Sequence, residues 1–187
     1  NYSFEFDKWK GSDGNDIPFQ TDDDVNFYNE LKTIGLSADY SSPSFRFYHL
    51  KGPHGPYTMN EDIQRLTDGF CTVQQQALGS LRIVAEYIRQ MKDLGIYDQS
   101  TIFIMADHGT EAKGGQNPLF MVKESFSNCD FQISEMRLTY KDLPNMMTDA
   151  LRSKLDIRGN YEENGTRYFY VADEQSNNYI IIQYDSE

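Results

Sequence analysis

The chain alternates between segments with a helical spacing of apolar residues and shorter apolar segments typical of strands. The longest helical pattern lies within residues 60–94 and ends at Gly95. Its apolar positions recur every three or four residues, as on one face of an α-helix: Leu78, Leu81, Ala85, Ile88 and Met91. The pattern also predicts a short helix over residues 25–34 and another over residues 139–155, where Pro144 fits the first turn.

Strand patterns occupy the segments between these helices and the end of the chain. Residues 45–50 and residues 119–122 are candidate strands, and residues 101–105 are continuously apolar, as in a strand buried on both faces. A helix, a turn and a buried strand in this order favour a parallel sheet. Residues 168–171 and 179–182 predict an antiparallel hairpin. The expected fold class is α/β with a C-terminal antiparallel hairpin.

The organisation along the chain is expected to have three parts. Residues 1–24 predict a polar, loop-rich lead-in, residues 25–160 the α/β part, and residues 161–187 the hairpin. The acidic run at residues 22–24 is expected to be an exposed helix start, where carboxylates are favourable, rather than a cation site. A length of 187 residues fits one domain with a small appendage.

Charge and composition exclude some classes of partner. The formal net charge of −12 argues against nucleic-acid binding, which needs a basic face. No apolar run approaches the roughly 20 residues that a membrane span needs. The chain begins at Asn1, without Met or a signal peptide, so we expect a fragment or a processed product.

The sharpest chemical signal is an Asp-His pair directly after the predicted strand over residues 101–105. Asp107 and His108 offer an oxygen and a nitrogen to a divalent cation, and Gly109 allows the sharp turn that brings them together. In parallel α/β sheets, ligands bind beyond the carboxyl ends of strands. The alternative is that Asp107 caps the next segment and His108 is a surface residue. The preceding strand favours a site.

A second signal contains the other two histidines of the chain, His49 and His54. They lie at a predicted strand end and in the adjoining loop, which is rich in Gly and Pro, so both imidazoles can approach one small site. A neutral imidazole can bind a metal, and a protonated one can bind phosphate oxygens or supply a proton. The alternative is a turn whose histidines bind only backbone groups.

These motifs together resemble the alkaline-phosphatase/sulfatase superfamily. Residues 95–109, GIYDQSTIFIMADHG, look like the helix-end, strand and metal-loop segment of sulfatases. Residues 49–57, HLKGPHGPY, resemble the histidine element of phosphoethanolamine transferases and the corresponding loop of lipoteichoic acid synthases. Residues 117–122 and 142–144 fit the same order, and the resemblance covers about residues 25–160.

The resemblance implies a fold, a cofactor and roles for four residues. The fold would be the C-terminal part of a three-layer α/β/α sheet of the alkaline-phosphatase type. Asp107 and His108 match metal ligands of the family, for zinc, manganese, magnesium or calcium. His54 matches the loop histidine near the metal or the substrate phosphate. His49 matches a contact of the substrate phosphate or of a second metal.

The chain also departs from the family pattern. The family's nucleophile and an acidic metal ligand belong to an N-terminal half that we do not find here, and the Cys/Ser-x-Pro-x-Arg signature of sulfatases is absent. No histidine follows His108, where the transferases carry another one. The chain by itself is therefore expected to be inactive. Its open sheet edge is expected to favour self-association.

The implied function is a metal-dependent phospho-group transferase or hydrolase that acts on phospholipid head groups or surface polymers of the cell envelope. The full-length protein is expected to be extracytoplasmic and anchored in the membrane through the missing N-terminal region. Two alternatives stay open: a sulfatase or phosphatase-like hydrolase of the same superfamily, and a non-catalytic binding module derived from it.

Overall fold

The computed structural model describes residues 3–6, 23–38, 43–109, 118–134, 138–152, 166–173 and 178–185. The chain divides into two compact units, Asn1–Tyr97 and Asp98–Glu187. Both units contain helix and strand, which confirms the α/β class. In chain order the elements are β1 (Ser3–Phe6), α1 (Asp23–Thr33), β2 (Ser44–Phe47), α2 (Val73–Asp93), β3 (Ile102–Met105), β4 (Phe120–Lys123), α3 (Leu143–Leu151), β5 (Thr166–Asp173) and β6 (Asn178–Asp185).

The core of the first unit lies between α1, α2 and the segment that precedes α2. Its buried centre is formed by Met59, Ile63 and Ile83. Partly buried side chains from α1 and from the segment after β2 pack against this centre: Val25, Phe27, Tyr28 and Leu50. Helix α1 agrees with the predicted helix to within two residues at each end.

Helix α2 lies within residues 60–94, as predicted, and it begins at a capping box that leaves residues 60–72 outside the helix. The hydroxyl of Thr72 accepts a hydrogen bond from the backbone N–H of Gln75, and the Gln75 side chain accepts one from the Thr72 N–H. Before it, the side chain of Asn60 accepts bonds from the backbone N–H groups of Asp62 and Gln64. This local bonding gives the segment an alternative to the helix.

The buried face of α2 differs from the predicted apolar stripe. The buried positions are Gln76, Gly79, Ile83 and Met91. By contrast, Leu78 is 52% exposed and Leu81 is 41% exposed. The helix presents a glutamine and a glycine to its neighbours, because the preceding loops pack on that face. Among the described helices, none is both long and apolar enough to span a membrane.

Two predictions for the start of the chain are corrected in part. Within the expected loop, β1 pairs in parallel with β2, with Ser3 opposite Ser44. This pairing joins segments about 40 residues apart, which local patterns do not reveal. The acidic run does lie at a helix start, since α1 begins at Asp23, but the prediction that it is exposed was wrong for Asp24, which is only 4% exposed. Strand β2 also ends at Phe47, three residues earlier than predicted.

In the second unit, β3 pairs with β4 in antiparallel register, with Ile102 opposite Lys123. All of β3 but Met105 is half-buried, so the prediction of a strand buried on both faces was wrong. Among the described residues, its partner is this antiparallel strand rather than a parallel one. The apolar run reflected the β-propensity of Ile and Phe more than double-sided burial.

The remaining elements follow the predicted order. Helix α3 spans Leu143–Leu151 with proline in its first turn, so it begins four residues later than predicted. Residues 153–155 of the predicted helix lie outside the described residues. The C-terminal hairpin is confirmed. Strands β5 and β6 pair antiparallel over eight residues each, with Phe169 opposite Ile182. The turn between them lies outside the described residues.

We predict that Gly79→Ala destabilises the first unit. A Cβ at this position would lie 2.6 Å from the backbone oxygen of Asn60, and a backbone atom cannot move aside cheaply. The expected net loss is about 1–2 kcal/mol, although Ala favours a helix over Gly by about 1 kcal/mol. Urea denaturation measures this loss. Gln74→Ala, at an exposed position of the same helix, is the control and should change stability by less than about 0.5 kcal/mol.

We also predict that Glu86 makes stability sensitive to acid. A hydrogen bond from Arg89, with further help from Gln90 and Lys32, outweighs burial and lowers the pKa of Glu86 from 4.5 to about 2. Because the folded pKa lies below the unfolded one, the stabilisation is complete above about pH 4.5 and is lost as the pH falls toward 2. Glu86→Gln should flatten the pH dependence of the free energy of unfolding in this window. Equal slopes in both proteins would contradict the prediction.

Candidate functional site

The first candidate segment is residues 49–57, which we name the histidine loop. It follows β2 and has no helix or strand of its own, so its backbone groups need partners from elsewhere. His49 lies two residues beyond the strand and its ring is 6.3 Å from that of Phe47. His54 lies at the exposed middle of the loop. The neighbouring elements supply the partners of the loop.

Asp24, at the start of α1, binds the first part of the histidine loop. Its two carboxylate oxygens accept hydrogen bonds from the backbone N–H groups of Lys51, at 2.8 Å, and Gly52, at 2.9 Å. Charge-assisted bonds of this kind are stronger than neutral ones. The sequence had placed Asp24 in a solvated acidic run. One feature of the sequence could have indicated the role of Asp24. The histidine loop is rich in glycine and proline, so its N–H groups need acceptors from other segments.

Gln76, on α2, binds the middle of the same loop. It is 1% exposed, and its amide nitrogen donates to the backbone oxygens of Gly52, at 2.9 Å, and His54, at 2.8 Å. Its amide oxygen accepts from the N–H of Met59, at 3.2 Å. Sequence reasoning missed Gln76. The available signal was its spacing, because Gln76 is three residues before Gly79 and therefore on the same helical face.

Other contacts hold both ends of the histidine loop. Tyr48, just before it, packs on Phe27 of α1 and on Tyr87 of α2, with ring centroids 5.4 and 5.2 Å apart. Within the loop, the ammonium of Lys51 donates to the backbone oxygen of Pro56 at 2.8 Å. The backbone is therefore held by both helices and by its own lysine.

One contact of the His54 ring assigns its tautomer. Its Nδ1 lies 2.6 Å from the backbone oxygen of Gly55. A carbonyl oxygen only accepts hydrogen bonds, so Nδ1 must be the protonated nitrogen. In the neutral ring, Nε2 then carries the lone pair, which can bind a metal or accept a proton. The side chain is exposed, so this nitrogen is accessible.

The second candidate segment lies directly beyond the carboxyl end of β3. The imidazole Nε2 of His108 is 3.8 Å from the nearer carboxylate oxygen of Asp107, and both side chains are exposed. The same oxygen of Asp107 accepts a hydrogen bond from the His108 N–H at 3.0 Å. As in His54, Nδ1 lies 2.6 Å from the oxygen of the following glycine, Gly109. This leaves Nε2 of His108 beside a carboxylate oxygen.

Tyr140, in the turn before α3, contacts this segment and was not predicted as part of it. Its hydroxyl donates to the backbone oxygen of Ala106, the residue before Asp107, at 2.5 Å. Burial raises the pKa of Tyr140, and the charge of Asp107 adds to the effect. The sequence placed Tyr140 in a predicted helix, and no local signal connects it to a residue 34 positions earlier.

The donor chemistry of the Asp107–His108 pair fits two ligands of a divalent metal. Zinc and manganese accept imidazole nitrogen and carboxylate oxygen, and metal-bound histidines usually donate their other N–H to a backbone oxygen. Zinc sites normally use at least three protein ligands. Within the described residues, no group of three or more His, Cys, Asp or Glu side chains is placed to hold a metal. Other ligands would have to come from elsewhere.

The histidine loop and the Asp107–His108 pair belong to different compact units of the chain. Their convergence on one cleft therefore stays a prediction, and so do the assigned roles of His49 and His54. A shallow depression of about 380 Å³ in the first unit is lined by residues that include Tyr28, Arg82 and Arg89. Its arginines form ion pairs with Asp62 and Glu86, and neither His49 nor His54 lines it.

Comparisons of the chain with protein-family models, with curated proteins and with solved structures found no match.

We predict that the neutral imidazoles of His54 and His108 carry their proton on Nδ1. Isolated imidazoles favour the Nε2-protonated form, so the glycine oxygens must reverse this preference. Nitrogen-15 NMR of the side chains in alkaline solution measures the tautomer, and His49 provides a third imidazole in the same spectrum. Replacing either glycine would not remove the backbone oxygen that accepts the Nδ1 proton. The signals are therefore assigned with His54→Ala and His108→Ala, each of which removes one imidazole. Protonation on Nε2 in either ring would contradict the prediction.

Proposed function

We propose that this chain is part of a metal-dependent phospho-group transferase or hydrolase, and that it supplies the Asp107–His108 metal ligands and the histidine loop. The observation that supports the proposal most is the repeated His-Gly arrangement. In both His54 and His108, the following glycine oxygen accepts the Nδ1 proton at 2.6 Å. Both exposed rings are thereby prepared to use Nε2, as metal ligands and general bases require.

The four residues would divide the chemistry as follows. Asp107 and His108 would hold a divalent cation, which supplies charge neutralisation for the transferred group when it is bound. His54 would bind a phosphate oxygen or move a proton through Nε2. His49, two residues after β2, would contact the substrate phosphate. Substrate candidates are phospholipid head groups and surface polymers of the cell envelope, as the resemblance to lipoteichoic acid synthases and phosphoethanolamine transferases implies.

The proposed fold is the C-terminal part of an alkaline-phosphatase-like catalytic domain. Asp107 and His108 follow β3 directly, and their side chains lie together in one exposed turn, which supports their assignment as a ligand pair. The nucleophile and an acidic metal ligand would belong to a preceding segment. That segment would also anchor the full-length protein to the membrane, outside the cytoplasm.

We predict that the full-length protein hydrolyses a chromogenic phosphodiester in the presence of Zn²⁺ or Mn²⁺. Asp107→Ala should reduce this activity by about a hundredfold or more, because it removes a charged ligand of a metal that supplies several kcal/mol of transition-state stabilisation. His54→Ala should lower turnover by a similar factor but should change stability little, since the ring is exposed. The 187-residue chain alone should show no turnover with either metal.

Three outcomes separate the alternatives. Metal-dependent turnover by the 187-residue chain, lost in Asp107→Ala, would show that the nucleophile lies within it. Preference for a chromogenic sulfate ester over the phosphodiester would indicate a sulfatase. Metal binding without turnover on either substrate would indicate a non-catalytic module. The matched control is Asp98→Ala, at an exposed position in the same unit, which should leave turnover unchanged.

A further inference from the structure

We propose that Asp24 and Gln76 are positioning residues, which act together on the backbone of the histidine loop to fix the place of His54. This inference rests on the proposed function, in which His54 takes part in the reaction. Both side chains bind the backbone that carries the His54 ring, one from each helix of the first unit.

Gly52 is the point at which the two side chains meet. Its N–H donates to Asp24 at 2.9 Å, and its carbonyl oxygen accepts from Gln76 at 2.9 Å. Its φ of +60° is a conformation that favours glycine. Both polar groups of a residue that lies two positions before His54 are therefore bound. A shift of either helix would therefore move Gly52.

The His54 peptide itself is bound by the same amide. The Gln76 nitrogen donates one hydrogen to Gly52 and the other to the His54 oxygen. An amide nitrogen has two donors, so Gln76 uses its full capacity on this loop. Its oxygen accepts from Met59, a residue of the buried core. The amide thus connects the histidine loop directly to the core of the unit.

A packing role alone would not require these side chains. Burying an amide or a carboxylate is unfavourable unless its hydrogen bonds are made, and an apolar residue would fill the same space on either helix. Gln76 and Asp24 are the buried polar side chains of the first unit, with 1% and 4% exposure, among the described residues. Both bind the histidine loop. That shared target indicates that the two side chains hold the loop in place.

Helix α2 offers a matched control for the test. Gln90 is a second glutamine whose side chain binds backbone on both sides, the oxygen of Leu31 and the N–H of Leu36, each at 2.8 Å. It joins α2 to the end of α1 and does not bind the histidine loop. Gln76→Met and Gln90→Met remove the same amide from the same helix and preserve side-chain length. They differ in the segment that loses its hydrogen bonds, which is the histidine loop for Gln76→Met and the end of α1 for Gln90→Met.

The first experiment measures the loop directly, without turnover. Amide hydrogen exchange of Lys51 and Gly52 and the Nδ1–H signal of His54 are recorded by NMR in the 187-residue chain. Asp24→Asn should speed exchange of these amides, because an amide oxygen cannot replace both carboxylate oxygens. Gln76→Met should shift or broaden the His54 signal, and Gln90→Met should leave it in place. Equal effects of both glutamine variants on His54 would overturn the proposal.

The second experiment measures turnover of the phosphodiester by the full-length protein. Gln76→Met should lower kcat by about tenfold to a hundredfold, since small displacements of a catalytic group have effects of this size. Gln90→Met should keep kcat within about twofold at a similar loss of Tm. In a His54→Ala background, Gln76→Met should cost less than about twofold, because it acts through His54. Additive losses would overturn the positioning role.

The two experiments distinguish the two proposals. The NMR effects could appear as expected while no ester shows metal-dependent turnover. That outcome would refute the proposed function but would still support the binding of the loop by Asp24 and Gln76. Turnover that is abolished by Asp107→Ala but has an unchanged kcat in Gln76→Met would refute only the positioning role. If Gln76→Met fails to fold, Asp24→Asn in the same two assays decides the question, because it removes one acceptor and keeps the side-chain shape.

Discussion

The first unit depends on the burial of polar side chains that complete the hydrogen bonds of a loop. The histidine loop has no regular secondary structure, so its N–H and carbonyl groups would be left without partners against two packed helices. Asp24 binds its N–H groups and Gln76 binds its carbonyl groups. An unsatisfied buried group costs roughly 1–3 kcal/mol. Loss of either side chain would therefore affect several groups at once.

This requirement also explains the orientation of α2. The face that carries Gln76 must point inward to reach the loop, and Gly79, on the same face, allows the backbone of Asn60 to approach closely. Leu78 and Leu81 are then turned outward, although they are the more hydrophobic residues. The helix is amphipathic, but loop packing as well as apolar area decides which face is buried.

The two candidate histidines, His54 and His108, share one local contact of the ring. In each, a glycine oxygen one residue later binds Nδ1, so the local backbone sets the tautomer without any distant partner. Exposure keeps Nε2 accessible in both rings. The bonds within the Asp107–His108 pair lie in its own turn, with Tyr140 bound to the residue before it, whereas the position of His54 depends on residues from two helices. Local and long-range constraints therefore contribute differently to the two candidate segments.

The sequence by itself determined the α/β class, the helix α1, the strand β3 and the C-terminal hairpin, because each follows from local propensity and periodicity. It also located Asp107 and His108 at a strand end, since both belong to one short segment. Only the tertiary structure decided the pairing of β1 with β2, the buried face of α2 and the burial of Asp24 and Gln76. Those features join residues distant in sequence, and a polar side chain looks solvated until its backbone partner is known.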